Sequence, residues 1–340
     1  MGRFYAGLDI SDKSTHICLV DEEGSEVWSG ACATDPQVLA DTLARRCRSG
    51  LTRVVLETGP LSAFLYHGLV ERGVAVICIC ARHASGVLSA RPNKSDPNDA
   101  EGLAQLARTG WFKAVHVKDE ETHLDRARLK VREQLVKARR SMQNQLRGLL
   151  KLFGLKLGTA HTSAKRAERL HGLFAQKPEL EPILAPLAAA IGMLESEIAA
   201  ATRAIRKRSA LDPVCALLTS VPGVGPWVAL TYKCSIEDPH RFATSTGVGA
   251  YAGLVPRRRQ SGTLDIKGRI TKAGDAMLRH ALYEAANSLL GRVKRDCRLR
   301  QWGLALAASK GKKRARIAVA RKLAALLHTL WRSNIRFSWA

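Results

Sequence analysis

Aromatic side chains are scarce in this chain of 340 residues: Phe, Trp and Tyr together make up 5%. That scarcity weighs against single-strand nucleic-acid recognition by stacking, which needs exposed rings. The eight cysteines contain no Cys-x-x-Cys, which removes the usual spacing of a zinc site or a redox pair. Cys78 and Cys80 lie two apart in an apolar run and share one strand face. All eight read as reduced, mostly buried thiols of a reducing cytoplasm. No apolar run approaches the ~18 residues of a membrane span. Asp9 and Asp12 interrupt the N-terminal stretch, so neither a span nor a signal peptide is expected. Internal repeats and low-complexity segments are also missing.

Acidic side chains are the second shortage, and it is uneven. Lys and Arg number 54 against 30 Asp and Glu, a formal net charge of +24. Residues 1–110 hold 11 basic and 13 acidic side chains, residues 111–210 hold 20 and 10, and residues 211–340 hold 23 and 7. A nearly neutral first third is therefore followed by two basic ones. Such a surplus implies a polyanionic partner, because each cation set against a phosphate releases condensed counterions. The balance speaks to partners and solubility, not to fold. The pattern suits a head that keeps carboxylates for chemistry, joined to parts that hold nucleic acid.

Hydrophobic periodicity divides the chain in the same places. Residues 3–10, 15–20 and 26–31 read as three strands, with the turn at 21–24 joining the last two as a hairpin. A helix at 36–47, a strand at 53–56, a helix at 61–72 and a strand at 74–80 follow. A three-strand meander followed by alternating helix and strand is the ribonuclease-H-like order, a mixed sheet whose strand ends can gather a site. Residues 82–95 read as a loop, and a helix runs from Asp96 to about Thr109. From Glu120 to Leu152 apolar residues recur at Leu124, Val131, Leu135, Ala138, Met142, Leu149 and Leu152. That spacing predicts one long helix with a sticky face, with 180–205 as its partner. Beyond about Leu211 the chain reads as mostly helical with glycine-rich interruptions.

Four carboxylates stand out in the first third. Asp9 nearly ends the first strand in GLDIS, Glu57 follows the apolar run RVVL, and Asp96 and Asp99 open a helix in KSDPNDA. Two-metal phosphoryl chemistry needs several carboxylates converging on cations, and Mg²⁺ prefers hard oxygen ligands. Asp96 before Pro97 is equally a helix cap, with Asp99 favouring the helix dipole. Asp9 and Glu57 taken singly are equally turn and strand-end residues.

Three further stretches carry chemistry. Val-Pro-Gly-Val-Gly at 221–225, between apolar helical stretches, has a helix–hairpin–helix pattern. There Gly223 and Gly225 let backbone N–H groups approach a phosphate; an ordinary tight turn has the same composition. Arg257, Arg258, Arg259, Lys267, Arg269, Lys272 and Arg279 crowd around Ser261-Gly262. Guanidinium groups there can stabilise an alkoxide and a phosphorane, so Ser261 is a candidate phosphoryl-transfer nucleophile, although Ser-Gly is also turn chemistry. Residues 309–331 place a basic head on an amphipathic helix.

Read together, these motifs resemble the insertion-sequence-110 family of transposases, the DEDD-type recombinases. The resemblance covers nearly the whole chain. It rests on YAGLDIS, LETGP and KSDPNDA, then SVPGVGP, AYAGLVPRRRQSG, ITKAGDAMLR and the final ARKLA. It implies an α/β plus α architecture: a RuvC-like domain over 1–112, a helical coiled-coil segment over 113–208, and a C-terminal transposase domain over 209–340. It further implies that Asp9, Glu57, Asp96 and Asp99 hold Mg²⁺ or Mn²⁺, and that Ser261 attacks DNA to form a phosphoserine link. The expected partners are double-stranded DNA, a structured non-coding bridge RNA, and further copies of the chain in a dimer or tetramer whose metal site and serine come from different subunits. The expected setting is a prokaryotic cytoplasm, associated with the nucleoid and with no membrane. Three other readings compete. A sugar-kinase or actin-like ATPase would want a glycine where Ser11 stands, and a second glycine-rich loop. An architectural helix–hairpin–helix protein leaves the four carboxylates unused, and a RuvC-like junction nuclease leaves Ser261 without a role.

Overall fold

The computed structural model describes residues 2–47, 50–89, 93, 95–159 and 162–339. They form two compact units, 1–119 and 120–340.

In the first unit, β1 (Phe4–Ile10), β2 (Ser14–Val20) and β3 (Glu26–Ala33) make the expected meander. Then come α1 (Pro36–Cys47), β4 (Leu51–Glu57), α2 (Ser62–Glu71), β5 (Val76–Ile79), α3 (Ala81–Leu88) and α4 (Asp96–Thr109). The sheet order is β3-β2-β1-β4-β5. β1 is antiparallel to β2 and parallel to β4, and β4 is parallel to β5. The central strands are apolar because both faces are covered. Leu39 and Leu43 of α1 and Leu65 and Leu69 of α2 bury against Ala6, Leu8, Leu19 and Leu56. On the other face, α4 packs Leu103, Leu106 and Ala107 beside Val55 and Ile79, and Ala100 and Ala104 beside Cys18 and Val20. Helix α4 lies directly on β1: a Cβ on Gly7 would stand 2.1 Å from Ala100 O and 2.3 Å from Ala104 N. Only glycine allows that approach.

The loop expected over 82–95 is corrected in its first half, where α3 forms. Ala84 is buried and Val87 and Leu88 pack beside Leu103, so tertiary burial overrides the Ser-Gly turn signal at 85–86. Residues 90–92 and Lys94 of that stretch lie outside the described residues.

The second unit opens with α5 (Glu120–Leu152), the long helix at its expected bounds. It continues with α6 (Ser163–Gln176), a 3₁₀ turn at Pro178–Leu180, α7 (Glu181–Ala210), α8 (Pro213–Leu218), α9 (Pro226–Ile236), a 3₁₀ turn at Pro239–Arg241, and α10 (Ser245–Tyr251). The hairpin β6 (Pro256–Ser261) and β7 (Leu264–Ile270) precedes α11 (Ala276–Gly291), α12 (Arg298–Lys310) and α13 (Lys312–Ser333). α5 and α7 pair, and the expected sticky face is buried only in part: Met142 and Leu149 pack against the core of Leu146, Leu150 and Ile191. Leu124, Val131 and Leu152 are 51%, 57% and 76% exposed, whereas Leu129, Leu146 and Leu150 are buried. The buried row meets α7 through Arg132, whose Nε donates to Thr202 Oγ1 at 2.8 Å, and Gln143, whose Nε2 donates to Glu195 Oε1 at 3.4 Å. Polar residues in the middle of that row hide it from a hydrophobic pattern.

Residues Pro178–Ala210 form the one helix among the described residues long and apolar enough, by length and composition, to cross a membrane. This corrects the expectation that no stretch approaches that limit; α7 packs on α5 and α9. Leu129 of α5 and Ile205 of α7 enter the same core as Tyr232, Leu278 and Leu323. Buried Asp125 pairs with Arg128 at 2.6 Å and Arg208 at 3.0 Å, and Asp212 with Lys233. All eight cysteines are free, and burial pushes the Cys215 and Cys234 thiols up to about 12.

Candidate active site

The first unit carries an acidic cleft. The β1–β4 register pairs Leu8 with Leu56, and one further step on each parallel strand brings Asp9 and Glu57 side by side at the same end of the sheet. Both line a cavity of about 140 Å³ with Ser11, Asp12, Thr58, Gly59 and Ser62. Its walls are held by local bonds. Thr58 N–H donates to Ile79 O at 3.0 Å, Ala81 N–H donates to Thr58 Oγ1 at 3.1 Å, and Ser62 Oγ donates to Gly59 O at 2.8 Å. Behind it, burial pushes the Cys78 thiol up to about 11, and the negative charge of Glu57 adds to the rise.

Asp96 and Asp99 occupy the first turn of α4. The direction of that helix follows from its far end. There Gln105 Nε2 donates to Gly24 O at 2.7 Å and Arg108 Nη1 to Glu22 O at 3.2 Å. That hairpin turn follows Val20, which pairs with Tyr5 at the start of β1. Helix α4 therefore runs antiparallel to β1, and its acidic first turn lies toward the sheet end where Asp9 and Glu57 sit. The cap is Ser95, whose Oγ accepts from Asn98 N–H at 3.4 Å. That corrects the reading of Asp96 as the cap, while both carboxylates remain in the turn where the helix dipole favours them. Asp96 and Asp99 are not among the residues lining the cleft. Among the described residues, no group of three or more His, Cys, Asp or Glu side chains is close enough to hold a metal ion. Asp9 and Glu57, with Asp12 in the same lining, nonetheless present hard carboxylate oxygens in one cleft, the kind of ligand a small divalent cation accepts. Asp12 is a cleft residue that the sequence reading used only as a break in an apolar stretch; its place one turn beyond Asp9 was the available signal.

The second unit carries the basic elements. Ser261 ends β6 at the tip of the β6–β7 ribbon, a departure from the helical expectation for this region. The alternation of Leu264, Ile266 and Ile270 was the missed signal. Gly262 and Thr263 make the two-residue turn, and Gly262 has φ 54°, as a hairpin turn with glycine first requires. Every ribbon residue from Pro256 to Arg269 is exposed. Arg258 grips Asp265 with Nε–Oδ1 2.7 Å and Nη2–Oδ2 3.1 Å. Arg257 Nη2 donates to Thr271 O at 3.4 Å, and Arg279 Nη1 to Ala252 O at 3.1 Å. Lys272, at φ 53°, begins the return of the chain to α11. Among the described residues, Arg259, Lys267, Arg269 and Ser261 have no side-chain hydrogen bond or ion pair. Ser261 is thus not hydrogen-bonded to a general base.

Gly223 and Gly225 flank Val224 before α9. A Cβ on Gly223, at φ 86°, would stand 2.7 Å from Ala285 O and 2.9 Å from Leu289 N, whereas one on Gly225 meets nothing within 4 Å. Gly223 is therefore a packing glycine against α11, and Gly225 is the open one at the start of α9. Sequence reasoning also missed a hydroxyl–imidazole pair. His328 Nδ1 lies 2.9 Å from Ser245 Oγ, and its Nε2 lies 2.7 Å from Pro239 O. That ring is fully buried, and it ties α13 to the start of α10.

Comparison with known proteins covers both units. Residues 215–301 match the family model described as "Transposase IS116/IS110/IS902 family", and residues 6–154 match an IS110 DEDD model described as "Transposase". The chain is 31% identical over 339 residues to the "Transposase for insertion sequence element IS1111A" of Coxiella burnetii, covering 95% of this chain and 88% of that one. It is 32% identical over 203 residues to a "Probable family 20 transposase" of Pseudomonas aeruginosa, covering 58% and 60%. The RuvC structure of Thermus thermophilus aligns with a TM-score of 0.24 and 15% identity, over 33% of this chain and 99% of that one.

Proposed function

Because this chain belongs to the IS116/IS110/IS902 family of transposases and is a DNA-cleaving and rejoining enzyme, we propose that its nucleophile is Ser261 and that its acidic cleft activates the reaction. The observation that carries this reading is the division of labour between the two units. The only serine at the tip of the exposed basic ribbon is not hydrogen-bonded to a base, while the first unit gathers Asp9 and Glu57 in one cleft.

In this reading Asp9 and Glu57, joined by Asp96 and Asp99, hold Mg²⁺ or Mn²⁺. Such an ion lowers the pKa of bound oxygens and neutralises charge on the phosphate. Ser261 Oγ attacks a DNA phosphorus. The Oγ–P bond forms as one bridging P–O bond breaks, and the serine proton passes through a carboxylate or water of the cleft to the departing oxygen, so that the freed strand end leaves as a hydroxyl. Reversal by a hydroxyl of another strand rejoins the DNA and restores the serine. Arg259, on the ribbon face of Ser261, stabilises the charge that develops on the phosphate oxygens. Arg257, Arg258, Lys267, Arg269 and Lys272 hold the duplex, and the Gly223–Gly225 turn acts as a helix–hairpin–helix contact to a backbone phosphate. The paired long helices act as a coiled-coil spacer over 113–208, between a RuvC-like domain over 1–112 and a transposase domain over 209–340. Two or four copies assemble, guided by a structured bridge RNA that the basic surplus also serves.

The test is covalent capture on a denaturing gel. Wild-type protein with element DNA and Mg²⁺ yields a DNA-linked band. Ser261→Ala abolishes it and Ser245→Ala retains it. A band that persists in Ser261→Ala and vanishes in Ser245→Ala moves the nucleophile to the Ser245–His328 pair.

A further inference from the structure

Cross-strand neighbours of an antiparallel pair project to the same face. The β6–β7 register pairs Ser261 with Leu264 and Arg259 with Ile266. One face of the ribbon therefore presents Ser261, Arg259, Leu264 and Ile266. The other presents Arg258, Gln260, Asp265 and Lys267, with Arg258 gripping Asp265. Leu264 and Ile266 are 62% and 56% exposed. They stand on a two-stranded ribbon without a core beneath it, so folding gives them nothing to pack against.

The charge around these two side chains identifies what covers them. Arg259 shares their face, Arg257, Arg258, Lys267, Arg269 and Lys272 stand elsewhere on the ribbon and its return, and Asp265 is the single acid of the ribbon. A protein partner or a second copy of this basic ribbon would have to bring that excess together. A nucleic-acid duplex matches it and accepts a two-stranded ribbon in a groove. Apolar Leu and Ile side chains carried by basic elements enter duplexes as wedges between base pairs.

We propose that Leu264 and Ile266 are an apolar wedge that opens a base step of duplex DNA beside the phosphate attacked by Ser261. The proposal rests on the assignment of Ser261 as nucleophile. Leu264 lies directly across from Ser261, so the step it opens flanks the scissile phosphate. Ile266 stands one rank back, about 7 Å along the strand at ~3.4 Å per residue, or roughly two base steps at 3.4 Å each. The unstacked step is then part of target selection: pyrimidine–purine steps, which open easily, are preferred at that position without any hydrogen bond to a base edge.

The experiment uses the full chain and duplexes spanning the element's own end, with 2-aminopurine placed at successive positions. Fluorescence should rise several-fold at the step flanking the scissile phosphate on binding of wild type or Ser261→Ala. It should stay flat with the double variant Leu264→Ala/Ile266→Ala, whose affinity by polarisation falls less than about ten-fold. Leu264→Met/Ile266→Leu, which keeps apolar bulk, should restore the rise and report on folding. A wild-type rise that survives in the alanine double variant overturns the wedge, as does a bound wild-type complex with no rise at any position. Loss of self-association in the double variant with the rise intact would make this face a protein contact and overturn it too. An adduct that persists in Ser261→Ala while the rise depends on Leu264 and Ile266 removes the nucleophile assignment alone.

Discussion

Arg126 of α5 donates from Nη1 to Asp275 Oδ2 at 2.8 Å, and the other oxygen of that carboxylate caps α11 by accepting from Met277 and Leu278 N–H at 2.8 and 3.1 Å. The ribbon returns to the core through this residue. Burial alone would raise the Asp275 pKa, but Arg126 and the two backbone donors outweigh it and hold the carboxyl below its usual 3.8. A carboxyl more acidic folded than unfolded contributes its full stability above the unfolded value and loses it as pH falls through the folded one. Asp275→Asn should therefore cost about 3 kcal/mol at neutral pH, the scale of breaking a buried ion pair, and shrink the loss of stability below pH 3.8. Urea melts from pH 7 down to about 2 check both.

The acidic cleft predicts a separation of binding from chemistry. Asp9→Asn and Glu57→Gln keep the side-chain shape and remove the charge. Each should lower strand cleavage by at least about a hundred-fold, the low end of losses for removed catalytic groups, while DNA affinity is unchanged or slightly improved. Asp96→Asn and Asp99→Asn should do the same if the helix turn completes the cation site. Full activity in both would return those two residues to the helix dipole, and Mg²⁺-dependent thermal shifts would then depend on Asp9 and Glu57 alone.

How far the sequence shows this arrangement depends on which signal each element gives. The mixed sheet is legible because both faces of β1, β2 and β4 are covered and their apolar runs are long. Asp9 and Glu57 are legible as strand ends, but their adjacency comes from register, which no local pattern encodes. The α5 interface is legible only in part: Met142 and Leu149 of the predicted row pack into it, but Arg132 and Gln143 also occupy it, and Leu124 and Val131 of that row are exposed. One strand of the ribbon is hidden by its own polarity, β6 being Pro-Arg-Arg-Arg-Gln-Ser; the other, β7, carries a readable alternation in Leu264, Ile266 and Ile270.

The two glycines of the turn before α9 should behave oppositely. Gly223→Ala forces a Cβ toward the α11 backbone at a positive φ, and should cost at least about 1–3 kcal/mol from overpacking. Gly225→Ala has open space, so stability should change by less than about 1 kcal/mol. If α9 receives a backbone phosphate, DNA affinity should fall in Gly225→Ala while the melting temperature holds. Equal destabilisation by both would make the turn a packing device only.

Binding should be steeply salt-dependent and should reside in the second unit. The fragment is best cut between Asp119 and Glu120, because a cut at 209 removes Leu129 and Ile205 from the core they share with α9, α11 and α13. Residues 120–340 should keep most of the duplex affinity. The slope of log K against log salt should shallow by about one unit for each phosphate-contacting cation removed. Arg259→Ala, Lys267→Ala and Arg269→Ala together should therefore reduce it by about three. Binding that stays with residues 1–119 would contradict the charge distribution.

Ser261 makes no side-chain hydrogen bond among the described residues, and Asp9 and Glu57 line a cleft in the first unit; on the proposed reading an active centre therefore takes one contribution from each. In an oligomer those contributions can come from different chains. Asp9→Asn and Ser261→Ala proteins should each be inactive alone, since every centre they build lacks one half. Mixed and allowed to exchange subunits, they should recover a fraction of wild-type recombination, because some centres then combine an intact cleft with an intact serine. If each centre draws its cleft and its serine from two different chains, random pairing gives one intact combination in four, about a quarter of wild-type activity before assembly bias. The covalent DNA adduct formed in the mixture should sit only on the Asp9→Asn chain, which keeps its serine, and a size tag on that chain shows this directly on the gel. An adduct on the Ser261→Ala chain would disprove the nucleophile. A mixture with no recovered activity, despite confirmed subunit exchange, would place cleft and serine of each centre within one chain.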